Sequence, residues 1–118
     1  MKLNTKTHAI IDYIVVLFLW AAPSLFMLPE VTTTFTYVLG CIHLILTVCT
    51  RFELGIIKVI PLRIHGLLEI VVSVALVGVA FYLGEREGSV ARNFYLCFAL
   101  AVFITWLGSD YKSHDTTQ

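Results

Sequence analysis

The chain has 118 residues, of which 58% are hydrophobic and only 14% charged, and its formal net charge is zero. A soluble domain carries about 25% charged residues, and a chain this short has too little interior to hide so much apolar surface. The mean hydropathy of +0.88 therefore excludes an ordinary soluble domain and directs the apolar surplus at lipid, while the lack of a basic excess excludes nucleic acid as a partner.

Taken in chain order, four apolar runs stand out: Ala9 to Leu28, Phe35 to Cys49, Ile64 to Leu83 and Phe94 to Leu107. Lipid offers the backbone no hydrogen bonds, so segments of this kind are expected to be helices. A span needs roughly 17–25 residues. The second and fourth runs are short by that measure, and Thr32 to Thr34 and Arg92-Asn93 are expected to extend them as interfacial turns. Lys2 and Lys6 precede the first run, but Ala21-Ala22-Pro23 is a poor cleavage site and further runs follow, so it reads as a span rather than a signal peptide. No lipidation motif is present.

Pro29-Glu30 is expected to end the first helix, and Gly84-Glu85-Arg86-Glu87-Gly88 to separate the third from the fourth. The longest connection, Arg51 to Pro61, alternates apolar and charged residues and is expected to lie along the membrane surface. Lys2, Lys6, Arg51, Lys58, Arg63 and Lys112 fall on one side of the four spans, against Arg86 and Arg92 on the other. The excess of positive charge predicts that both termini and the middle connection are cytoplasmic. Trp20, Trp106, Tyr82, Tyr95 and Tyr111 read as interfacial anchors. Cys41, Cys49 and Cys97 have neither disulfide nor zinc-site spacing and read as small apolar residues within helices.

A shift of 57 places Lys6-Thr7-His8-Ala9-Ile10-Ile11-Asp12 on Arg63-Ile64-His65-Gly66-Leu67-Leu68-Glu69, with six of seven positions alike in chemical type. A shift of 58 pairs Tyr37 with Tyr95 and Thr47 with Thr105. The chain is thus expected to be all-α, a single transmembrane domain over 1–118. Its four helices would form two repeated hairpins, about 6–53 and 63–111, related by an axis along the membrane normal. Parallel repeats of this kind occur in transporters, though not only there.

The repeated element is His-x-x-x-Asp/Glu. Residues four apart share a helix face, so His8 stacks over Asp12 and His65 over Glu69. If the first and third helices meet, two imidazoles and two carboxylates converge near the cytoplasmic face, with Arg51 and Asp110 at the ends of the other two helices. One reading is a packing knot between the hairpins, with carboxylates favoured in the first helical turns. A second is a metal or haem site using His8, Asp12, His65 and Glu69, since imidazole and carboxylate suit zinc, iron or manganese. The carboxylate di-metal pattern of helical bundles has the opposite order, Glu-x-x-His, and extra inward carboxylates. A third is a proton or ion path. His43, in the middle of the second helix with Thr47 one turn below, could take part; its counterpart by the 58-residue shift is Ala101. A partner from Thr47 or the first helix is expected for it.

The connector Arg51-Phe52-Glu53-Leu54-Gly55-Ile56-Ile57-Lys58-Val59-Ile60-Pro61-Leu62-Arg63-Ile64-His65, with the opening Lys6-Thr7-His8-Ala9-Ile10-Ile11-Asp12-Tyr13, resembles small bacterial membrane proteins with SPW repeats. The resemblance covers nearly the whole chain. It implies four helices in two hairpins and a bacterial inner-membrane location, and no established activity. The Ser-Pro-Trp element itself is degenerate: Ala22-Pro23-Ser24 keeps the proline, and Val79-Ala80-Phe81 keeps nothing of it.

No nucleophile triad, phosphate loop or dinucleotide fingerprint is present. The first functional expectation is therefore a non-enzymatic structural or assembly subunit, as a homo-oligomer or with a membrane-protein partner seated on small residues such as Ser73, Gly78 and Ala80. The second is a metal-, haem- or other ligand-binding membrane protein, and the third an oligomeric proton or ion pathway.

Overall fold

A computed structural model describes residues 5–50 and 55–108. It is all-helical among these residues: α1 (Thr5–Leu25), α2 (Glu30–Val48), α3 (Leu62–Glu87) and α4 (Ser89–Leu107). All four are long and apolar enough to cross a bilayer. The shortest, at 19 residues, measures about 28 Å at the helical rise, close to the thickness of the hydrocarbon layer. α1 packs along α2, and α3 along α4, so the chain is two helical hairpins set side by side.

The helix ends differ from those expected at both outer turns. α1 stops at Leu25, before Pro29, and Phe26-Met27 turn the chain, with Met27 at positive φ. α2 then starts at Glu30, directly after Pro29 in extended conformation, so Thr32 to Thr34 lie within the helix and not in an interfacial turn. Glu87 explains the early start. Its carboxylate accepts hydrogen bonds from the amides of Val31 (2.9 Å) and Thr32 (2.6 Å) and from the Thr32 hydroxyl (2.7 Å), satisfying donors that a helix N-terminus otherwise leaves open.

α3 likewise runs on through Glu85, Arg86 and Glu87, and a single residue, Gly88, separates it from α4. Gly88 has φ +106 and ψ −177, a conformation open essentially to glycine alone. Arg92 and Asn93 therefore lie inside α4.

The middle connection folds back on the end of α2. The amides of Ile56 and Ile57 donate to the Val48 carbonyl, and those of Val59 and Ile60 to the Cys49 carbonyl. Ile56, Ile57 and Val59 are exposed, which suits a segment lying in the interface.

The interior is apolar over most of its length, with Leu19, Leu76, Ala80, Leu83, Tyr95 and Phe98 at its centre. Tyr95 is fully buried, with its hydroxyl bonded to that of Thr36; it is a core residue and not the interfacial anchor expected. Its shift partner Tyr37 is exposed, so the two hairpins differ here. Tyr111 and the polar tail lie outside the described residues. The outward faces carry Ile14, Leu17, Ile45, Val74, Leu100 and Ile104, each more than half exposed. Of the small residues expected to seat a partner, Ser73 and Ala80 are buried and only Gly78 is open.

Candidate metal centre

His8 and Asp12 lie one turn apart near the start of α1, and His65 and Glu69 one turn apart near the start of α3. The helical repeat aims each pair at the same point between the hairpins. All four residues are buried, with exposures of 0–5%.

The His8 Nε2 atom lies 3.2 Å from Asp12 Oδ2 and 3.2 Å from Glu69 Oε1. The His65 Nε2 atom lies 3.1 Å from Asp12 Oδ2 and 3.5 Å from Glu69 Oε1. Each imidazole thus faces the carboxylate of its own helix and that of the opposite helix. The two rings stand edge to face, 5.4 Å apart. One donor atom from each of the four residues falls within 4.8 Å of every other.

Three of these separations lie at the long end of the N–H···O range and the fourth beyond it. They agree with the edges of a four-coordinate metal site, where bonds of about 2.0–2.2 Å hold neighbouring donors about 3.3 Å apart. Asp12 Oδ2 is buried with no hydrogen-bond partner among the described residues.

Thr50, at the end of α2, decides the chemistry of one ring. Its hydroxyl donates to the Leu46 carbonyl (2.6 Å) and lies 2.7 Å from His65 Nδ1. A hydroxyl has one hydrogen. With that hydrogen on Leu46, the Thr50 oxygen accepts from His65, and Nδ1 carries the proton. In the neutral ring Nε2 is then a lone pair facing two carboxylate oxygens. That arrangement is repulsive unless a second proton on the ring or a metal cation lies between them. An Nδ1–H fixed by an outer partner, with Nε2 free to ligate, is the usual arrangement of metal-bound histidine.

His43 faces the far side of Asp12, with Nε2 3.7 Å from Oδ1. Its expected partner on the first helix is thus its neighbour, whereas Thr47 spends its hydroxyl on the His43 carbonyl. Arg51 and Asp110 lie outside the described residues.

Two cavities of about 40 Å³ each adjoin Glu69 and His43, and one of them also reaches Asp12. An organic cofactor needs roughly 300 Å³ or more, and the donors meet at a point instead of facing each other across a slot. A haem does not fit these dimensions, and the donor set is mononuclear rather than the di-metal arrangement of carboxylate bundles. A larger concavity, about 560 Å³, is walled by Phe18, Phe26, Phe94 and Phe98 and contains none of the donors.

Thr50 and Glu87 were not legible as site or clamp residues. The only signal of Thr50 is a polar residue closing an apolar run, and that of Glu87 a charge in what reads as a loop. No family model, curated protein or solved structure matches the chain.

Proposed function

We propose that this chain is a four-span membrane protein that binds one divalent transition-metal ion between its two hairpins, with His8, Asp12, His65 and Glu69 as ligands. The observation that carries the reading is the convergence of four buried donor atoms, two from each hairpin, on one point. Charge supports it. With both imidazoles neutral, the two buried carboxylates leave a charge of −2, which a divalent cation cancels as protonation of the two rings also would, and uncompensated buried charge is costly. Zinc, iron and manganese suit this mixture of nitrogen and oxygen donors.

The apolar outward faces support a lipid surround, and the surplus of Lys and Arg beside the His/acid pairs supports a cytoplasmic position for the centre. The resemblance to SPW-repeat proteins, and the doubled His-x-x-x-Asp/Glu element, favour a duplicated hairpin in a bacterial inner membrane. A role as a structural or assembly subunit is compatible with a metal staple between hairpins. A proton or ion path draws less support, because the core beyond the centre is built from Leu19, Leu76 and Phe98.

The test is elemental analysis of protein purified in mild detergent without chelator, beside a His8→Ala/His65→Ala variant. Near-stoichiometric zinc, iron or manganese that disappears in the variant is the expected result. No metal in either sample, under conditions where both remain folded and metal is supplied during growth, overturns the reading.

A further inference from the structure

Resting on the reading of a bound ion, we infer that the centre keeps one exchangeable coordination position. It opens on the chamber beside His43 and takes a small ligand, either water or an anion of up to three atoms. All four donors come from α1 and α3. α4 supplies none, and at Ala101, the residue a 58-residue shift pairs with His43, it supplies only a methyl group. The donor set is therefore walled by imidazoles on one side and left open toward α2 and α4 on the other.

The chamber lies on that open side. Asp12, Glu69, His43 and Thr105 line it together, and neither His8 nor His65 does. Its volume of about 40 Å³ exceeds the roughly 10–15 Å³ that admits a water and falls far below that of an organic ligand. The rest of its wall is Ile11, Val15, Phe98, Ala101 and Val102, so a ligand there would meet polar groups only at the carboxylates, His43 and Thr105.

His43 supplies the second, independent observation. Its Nε2 atom is buried and has no hydrogen-bond partner among the described residues. The 3.7 Å to Asp12 Oδ1 is too long for a direct bond, and a gap of this size is commonly bridged by a water. A ligand on the ion in this chamber would accept the His43 N–H. With four protein ligands the position is a fifth, which a closed tetrahedral zinc site lacks and the higher coordination of iron or manganese admits.

The experiment loads metal-free protein with Co²⁺ and titrates it with sodium azide, following the visible cobalt bands. The wild-type chain should bind one equivalent of cobalt and shift its bands saturably with azide. His43→Ala should still bind cobalt but take azide roughly tenfold more weakly, the loss of one hydrogen bond to a charged group. Val102→Phe, which fills the chamber and leaves every ligand in place, should bind cobalt and ignore azide. Cobalt-loaded wild type whose bands do not respond to azide overturns the inference and leaves the metal site standing. Variants that both titrate like wild type do the same, and if Val102→Phe does not fold, the His43→Ala comparison decides. Failure of the wild type to take up cobalt overturns the reading of a bound ion and the inference with it.

Discussion

Thr50 shows how one hydroxyl sets the chemistry of a buried imidazole. By donating to Leu46 and accepting from His65 Nδ1, it fixes a proton on Nδ1 and aims Nε2 at the two carboxylates. Replacing it with valine keeps the shape and removes the acceptor, so the ring is free to adopt the other tautomer. Outer-shell losses of this kind cost about 10–100-fold in metal affinity, and a fall in that range is expected for Thr50→Val in competition with a chelating dye. An affinity unchanged from wild type would remove Thr50 from the account of the site. The two His/acid pairs were readable from sequence because a spacing of four fixes a helix face whatever the tertiary structure. Thr50 was not, because its role depends on where α2 ends relative to α3. Nothing local records that.

At the scale of the helices, hydropathy located all four but misjudged the turns at the end remote from the centre. The reason is physical. Glu85, Arg86 and Glu87 are good helix formers with a charge on each, and a hydropathy pattern cannot tell a helix leaving the lipid from a loop. α3, with 26 residues, is about 39 Å long at the helical rise and outruns the hydrocarbon layer. What stops it is Gly88 alone. Adding a Cβ meets no neighbour there, but the φ of +106 is unfavourable for any other residue. Gly88→Ala is therefore expected to destabilise the protein by about 1–3 kcal/mol. Gly78 also has open space around it, in helical conformation, so Gly78→Ala should be neutral or stabilising by up to about 1 kcal/mol. Unfolding titrations of the two variants should separate them in sign. Equal effects would show that conformation at the hairpin turn is not what limits stability.

Over the whole molecule, side chains tie the two hairpins together at both ends. Near one end His8 and Asp12 of one hairpin face His65 and Glu69 of the other; at the other end the Glu87 carboxylate holds the first turn of α2. The packing within each hairpin is much more extensive than that between α2 and α3. An ion held by ligands from both hairpins would therefore stabilise their association directly, by an amount that grows with the logarithm of free ion over its dissociation constant, about 4 kcal/mol at a thousandfold excess. Chelation should lower the thermal midpoint of metal-loaded protein by several degrees or more, and Glu87→Gln should lower it independently. With a long axis of 46 Å and no shared partner, the two losses are expected to add to within about 0.5 kcal/mol. Asp12→Asn supplies the control, since a variant that cannot hold the ion should not respond to chelator. If chelation leaves the midpoint of metal-loaded wild type unchanged, the ion does not staple the hairpins. A shift of equal size in Asp12→Asn would instead mean that the chelator acts somewhere other than this centre.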